Sequence, residues 1–207
     1  MTEDTFDTLA VGHRGPGEHA IREQIVEAAE AHFSRYGYSK TTVSDLAKAI
    51  GFSKAYVYKF FDSKQAIGQA ICAKTLEGLL GQARQAVADA PTATEKMRSF
   101  FSAIVSSSAE LFFDDQKLYE IATHSVVEQW PSCMAYCSAL EQIVREIVLE
   151  GRASGEFERK TPLDETARAI MKAMESFHNP VMLQYKLDSL DNGPTEVVSL
   201  ILRSLAP

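Results

Sequence analysis

The residues with the most specific chemistry lie around Gly51-Phe52-Ser53. A glycine here lets the chain reverse without a Cβ clash. Ser53 offers a hydroxyl to cap the helix that follows. Val43, Leu46, Ala47 and Ile50 before the turn, with Val57 and Phe61 after it, are spaced to lock two short helices at a fixed angle. Such a helix-turn-helix projects the first side chains of its second helix into a DNA major groove, which admits one helix. The chemistry is hydrogen bonding to base edges and phosphates.

The elements around this turn follow from periodicity. Ile21, Ile25, Ala28, Ala29, His32, Phe33 and Tyr36 recur at spacings of three and four, which predicts a helix from His19 that stops at Gly37. Thr42, with Asp45 three residues on, predicts an N-cap and capping box. A helix over 54–60 follows, and Asp62 or Ser63 starts the next, with Gln65 completing a box with Asp62. That helix runs over 63–89 and is closed by Pro91. Further helices are expected at 94–113, as a broken pair at 115–129, from Pro131 to Ser154 before Gly155, from Pro162 to Asn179, and at 194–205. No stretch alternates with period two for long enough to be a strand. The expectation is an all-α chain of about nine helices, divided into a flexible tail (1–18), a three-helix N-terminal domain (19–66) and a larger helical domain (67–207).

Charge agrees with this division. The whole chain carries a net −7, yet residues 20–66 hold seven Lys/Arg against five Asp/Glu. A basic surplus confined to one segment of an acidic protein permits DNA binding and argues against a general nucleic-acid coat protein. The apolar share of 45% is enough for a core. No run approaches the roughly 18 apolar residues of a membrane span. Met1 to Leu9 is acidic and polar, without a signal-peptide layout, so a cytoplasmic protein with no membrane partner is expected. Three cysteines are then expected as thiols.

The run Ile25–Ile67, IVEAAEAHFSRYGYSKTTVSDLAKAIGFSKAYVYKFFDSKQAI, resembles the DNA-binding region of the TetR family. The likeness rests on Ala28-Ala29, Phe33, Gly37-Tyr38, Thr41-Thr42, Asp45-Leu46-Ala47, Gly51-Phe52-Ser53, Tyr58, Phe61 and Ser63-Lys64. Phe60 and Asp62 depart from the residues frequent there. The resemblance implies a repressor that binds double-stranded operator DNA as a homodimer and is released by a small-molecule effector. It implies that Thr42 contacts phosphate and that Ser53, Lys54, Ala55 and Tyr56 face the groove, with Lys54 and Tyr56 on base edges. Tyr58, Lys59 and Lys64 become phosphate contacts, Lys64 at a helix N-terminus that itself favours an anion. Tyr56 as a surface aromatic, Tyr58 as a core tyrosine and Thr42 as a cap alone are the plainer alternatives.

Beyond Ile67 the likeness weakens, with an echo in Glu150-Gly151-Arg152 through Gly155-Glu156-Phe157, which looks like the turn before the family's eighth helix. Two apolar stripes close the chain: Ala167, Ile170, Met171, Met174 and Phe177, then Val197, Val198, Ile201 and Leu205. The resemblance implies that the corresponding helices form a dimer interface; an intramolecular core is the alternative. Phe100, Phe101, Ile104, Phe112, Tyr119, His124, Trp130, Met134, Tyr136 and Phe177 combine aromatic area with a few polar tips, as suits an apolar ligand cavity or an ordinary core. The ligand is expected to be hydrophobic or aromatic, with a cationic one left open by Glu110 and Glu120. Cys133 and Cys137 share a helix face, as structural thiols or, alternatively, as a metal- or thiol-sensing pair.

An enzyme of the helical-bundle type is the rival class. A di-metal bundle needs two Glu-x-x-His motifs on facing helices. One such spacing, Glu175 to His178, occurs without a second copy. No nucleophile motif, phosphate loop or zinc pattern is present, so no catalytic residue, metal or cofactor is expected. A ligand-binding protein that has lost DNA binding is the remaining alternative.

Overall fold

The computed structural model describes residues 16–114 and 116–207. Its elements are α1 (Pro16–Tyr36), α2 (Val43–Ile50), α3 (Lys54–Val57), α4 (Lys64–Ala88), α5 (Ala93–Asp114), α6 (Gln116–Val127), α7 (Pro131–Ser154), α8 (Leu163–His178), α9 (Pro180–Leu183), a 3₁₀ turn (Leu187–Ser189) and α10 (Gly193–Ser204). Among the described residues there is no strand. Two units divide between Ile71 and Cys72, inside α4, where Ile67 and Ile71 are both buried. Of the expected tail, residues 1–15 lie outside the described residues, and 16–18 already belong to α1.

In the N-terminal unit Ile25, Ala29, Phe33, Leu46, Val57 and Ile67 are sealed from solvent. The Phe33 and Tyr38 rings meet edge to face at 5.2 Å. Gly37 donates its N–H to Phe33 O at 2.7 Å and closes α1. Tyr36, placed by its spacing on the inner face, is instead exposed, being the last residue of the helix. Gly51 takes φ 74, the left-handed conformation that a side chain resists, and its N–H bonds back to Ala47 and Lys48. Ser63, not Asp62, caps α4: Ala66 N donates to Ser63 Oγ at 3.0 Å.

Three further boundaries differ from expectation. α3 is one turn, because after Val57 the chain tightens to i→i−3 bonds, Lys59 N to Tyr56 O and Phe60 N to Val57 O. The expected broken pair is a single helix, α6, since nothing between Gln116 and Val127 interrupts the ladder. The break comes at Gln129, with φ 51, just before Pro131. Past Pro180 a separate turn of helix forms, α9, capped by Asn179 Oδ1 on Val181 N at 2.9 Å.

The C-terminal unit packs α5, α7, α8 and α10 around Phe100, Ile104, Leu140, Val144, Ile147, Met174 and Ile201. The turn from Gly151 to Phe157 sets the geometry. A Cβ on Gly151 would overlap the Phe157 ring, with even its Cγ only 2.7 Å away. Phe157 is buried and donates its N–H to Gly151 O at 3.0 Å. The neighbouring Glu156 carboxylate accepts the N–H groups of Ala93 and Thr94, at 3.1 and 3.0 Å, and so caps α5 from across the unit. Those backbone donors, the Thr94 N–H above all, hold its carboxyl below the usual range. Arg152 donates to Thr161 O at 2.7 Å and lies 3.7 Å from Glu158, which ties the α7–α8 turn together.

Candidate nucleic-acid interface

The expected DNA-facing residues occupy the outer side of α2, α3 and the turn after it. Thr42, Ser53, Lys54, Ala55, Tyr58 and Lys59 are exposed, while Tyr56 and Lys64 are half-buried. Ser53 caps α3 by accepting Tyr56 N–H at 3.1 Å. Lys54 and Ala55 therefore leave the scaffold at a fixed point.

Tyr56 is neither a loose surface ring nor a core residue. It stands edge to face between Phe52 at 5.0 Å and Phe60 at 5.4 Å. Phe60, a departure from the family pattern, thus becomes one wall of a three-ring stack. Lys59 Nζ lies 5.5 Å from the Tyr56 ring centre, and Lys54 Nζ lies 5.7 Å from that of Tyr58, which is 41% exposed. Lys64 Nζ lies 4.5 Å over Tyr38 and donates to Tyr38 O at 3.0 Å. Each ammonium rests on an aromatic face. A ring orients a cation without cancelling its charge. Periodicity did not reveal this arrangement, although the interleaving of Tyr56, Tyr58 and Phe60 with Lys54 and Lys59 carries its signature.

Thr42 is engaged locally. Its hydroxyl donates to Asp45 Oδ2 at 2.6 Å and accepts Asp45 N–H at 3.2 Å, completing the expected capping box. The Thr42 hydroxyl holds the Asp45 carboxyl below its ordinary value, so Asp45 stays anionic at the start of α2.

The residues expected to line a ligand cavity divide into separate groups. Phe100, Phe101, Ile104 and Tyr136 belong to the main core. Phe112 stacks edge to face on Tyr119 at 4.8 Å, and Tyr119 OH donates to Pro180 O at 2.8 Å. Burial pushes the Tyr119 phenol up to about 12, which keeps it a donor. Trp130 is buried and donates to Glu128 Oε2 at 2.8 Å, with His124 Nδ1 3.5 Å from the same carboxylate. Phe177 is buried. Met134 is 54% exposed, which corrects its assignment to an enclosed cavity: it faces outward on the first turn of α7. A surface groove of about 330 Å³ lies elsewhere, between α5 and α10, with Arg98, Ser102 and Thr195 on its wall and only Phe101 from the expected set.

The stripes expected at a dimer interface are mostly used within the chain. Ala167, Ile170, Met174, Val198, Ile201 and Leu205 are buried in the core of their own unit, with Met171 and Val197 packed against it. Within one chain these stripes supply the inner faces of α8 and α10. The outer face has a groove of about 380 Å³ with Ile170 and Leu205 at its floor and Leu200, 61% exposed, on its rim. Leu200 lies off the apolar stripe of its helix.

Among the described residues no group of three or more His, Cys, Asp or Glu could hold a metal ion. No helix described is long and apolar enough to cross a membrane.

A one-turn helix after a glycine turn, presented on a trihelical unit and followed by a larger helical unit, defines a helix-turn-helix protein of the bacterial regulator type. The chain belongs to the TetR family. Residues 25–71 match the model for bacterial regulatory proteins of the tetR family, and residues 93–198 match that for the tetracyclin repressor-like C-terminal domain. It is 40% identical over 47 residues to the biofilm operon icaADBC negative transcriptional regulator IcaR of Staphylococcus aureus, covering 23% of this chain and 25% of that protein. It is 35% identical over 78 residues to the transcriptional repressor Rv1474c of Mycobacterium tuberculosis, covering 33% and 42%. The chain thus matches less than half the length of these curated relatives. In fold it is similar to the regulator FadR of Bacillus subtilis, solved with stearoyl-CoA, at TM-score 0.65 and 21% identity over 88% of this chain and 98% of that one.

Proposed function

We propose that this protein is a cytoplasmic transcriptional repressor that binds operator DNA as a homodimer and releases it when a small molecule with a hydrophobic or aromatic portion binds the C-terminal unit. The observation that carries the reading is the start of α3: Lys54 and Ala55 project from a Ser53-capped turn, and Lys54, Lys59 and Lys64 sit on aromatic rings with their charges undiminished. Lys54 and Tyr56 read base edges; Tyr58, Lys59 and Lys64 grip phosphate; Thr42 trades its bond to Asp45 for one to phosphate. It acts as a binding protein, not as an enzyme.

Induction follows from α4. Its 25 residues span about 37 Å as one helix, begun in the N-terminal unit and ended in the C-terminal one. A dimer must hold its recognition helices about 34–36 Å apart to meet successive major grooves. A ligand that favours a different separation lowers operator affinity by its differential binding, typically about 5- to 150-fold. The stearoyl-CoA bound by FadR makes a long-chain acyl-CoA the first ligand to try.

The test is footprinting of the DNA flanking the gene with purified protein. A protected, pseudo-palindromic segment is expected, lost in Lys54→Ala and Tyr56→Ala while weak general DNA binding survives. Absence of any protected segment would overturn the reading in favour of a ligand-binding protein without DNA recognition.

A further inference from the structure

The three cysteines are not equivalent. Cys72 on α4 is buried. Cys133 and Cys137 stand four residues apart on one face of α7; Cys133 is buried and Cys137 is half-buried. Four residues of helix separate two Cα atoms by about 6 Å, within the span of a disulfide. Cys133 lies in the first turn of α7, with Cys137 one turn further on. Pro131 opens the helix, Trp130 caps it without a side-chain bond, and Cys133 N–H reaches only back to Trp130 O. First-turn amides have no intrahelical partner to lose.

We propose that Cys137 and Cys133 form a modification site at the start of α7, where hydrogen peroxide converts the two thiols into a disulfide. Cys137 attacks as the thiolate: its sulfur bonds one peroxide oxygen, the O–O bond breaks, and hydroxide leaves to become water. The resulting sulfenic acid is then attacked by the Cys133 sulfur. The S–S bond forms, the S–O bond breaks, and the departing hydroxide takes the Cys133 proton as a second water. Peroxide is the only oxidant required, and it is reduced to two waters as the thiols lose two electrons.

The surroundings support the division of roles. The hydrogen bond from Cys133 favours the Cys137 thiolate, and Lys172 on α8 adds to it, against burial and the Glu175 carboxylate. Lys172 and Glu175 are themselves paired at 3.0 Å. The same contact, with burial, pushes the Cys133 thiol up, so Cys133 waits as the resolving partner. Cys72 is likewise held up by burial. A reactive cysteine is one whose thiolate is favoured and exposed.

The chain supplies its own reporters. Tryptic cleavage leaves Cys133 and Cys137 together in 118–145 and Cys72 alone in 65–74. The single tryptophan, Trp130, caps the helix that must deform. Reduced full-length protein is treated with hydrogen peroxide, alkylated and mapped by mass spectrometry while Trp130 fluorescence is followed. Peptide 118–145 should lose about 2 Da through one internal disulfide, with 65–74 still reduced and fluorescence falling in step. Cys133→Ser should leave a sulfenic acid at Cys137 that dimedone traps. In Cys137→Ser the remaining Cys133 thiol should oxidise at least about ten-fold more slowly than peptide 118–145 of the wild type. The wild-type map needs no variant and so stands whatever the variants' stability. A disulfide to Cys72, equal oxidation of all three thiols, or a wild type no faster than Cys137→Ser would overturn the assignment. None of these readouts uses DNA, so failure here leaves the regulator reading intact.

Discussion

Lys64 Nζ donates to the backbone carbonyl of Tyr38 at 3.0 Å and lies 4.5 Å over the ring of the same residue, joining the start of α4 to the loop after α1. A lysine bound this way supports the fold, in addition to the phosphate contact proposed for it. Lys64→Ala should therefore cost about 1–2 kcal/mol of stability and, separately, lower the salt slope of DNA binding by roughly one unit. Urea denaturation and salt-titrated binding read the two effects. Unchanged stability with a reduced slope would leave Lys64 as a phosphate contact alone.

Gly151 is required by Phe157. Gly151→Ala should destabilise by about 1–3 kcal/mol or more, the range for overpacking a core, because the ring is buried and cannot swing away. Gly151→Ala combined with Phe157→Leu should recover part of the loss. Urea unfolding at constant m-value is the measurement, and additive losses in the double variant would deny the contact its role.

Leu200 tests the dimer without touching the core. Leu200→Glu should keep the helical circular dichroism of the wild type and shift sedimentation from dimer to monomer, with operator binding lost. A wild-type monomer at micromolar concentration would exclude the α8–α10 face as an interface.

His178 has a buried Nε2 with no partner among the described residues, and burial holds its pKa below the ordinary 6.5, against the pull of Glu175. The neutral ring is the folded form. Unfolding lets it take up a proton, so its contribution is complete above pH 6.5 and is lost as pH falls below that value. Stability should decline between pH 7 and pH 5, and His178→Gln should flatten that part of the profile. An unchanged slope in the variant would place the acid sensitivity elsewhere.

Gly78 and Gly81 lie within α4 with open space where a Cβ would stand. Gly78→Ala should stabilise by about 1 kcal/mol through helix propensity, raising Tm by about 2–4 °C. If α4 transmits the ligand signal, the stiffer helix should also change the ligand concentration that releases DNA. A lower Tm would mean that this face is covered in the assembled protein.

Most helices, the caps at Thr42 and Ser53 and the glycine turn at Gly51 were legible in the sequence; the length of α3, the unbroken α6 and the separate α9 were not. Each depends on residues within four positions of one another, where propensity, capping and φ act locally. Local rules also carried the start and stop of α7 at Pro131 and Gly155. What they could not fix was which side of an apolar stripe is already taken. Met174 and Ile201 read equally well as interface or core, and only packing against α5 and α7 made them core. Met134 and Trp130 lie on adjoining turns of chain, yet one faces outward and the other is sealed, because exposure depends on elements distant in sequence. The same holds for Lys64, whose partner is 26 residues away, and for Glu156, which caps a helix that began 63 residues earlier. Short-range chemistry determined the helices and the recognition turn; long-range packing alone decided which residues remain for DNA, ligand or partner to touch.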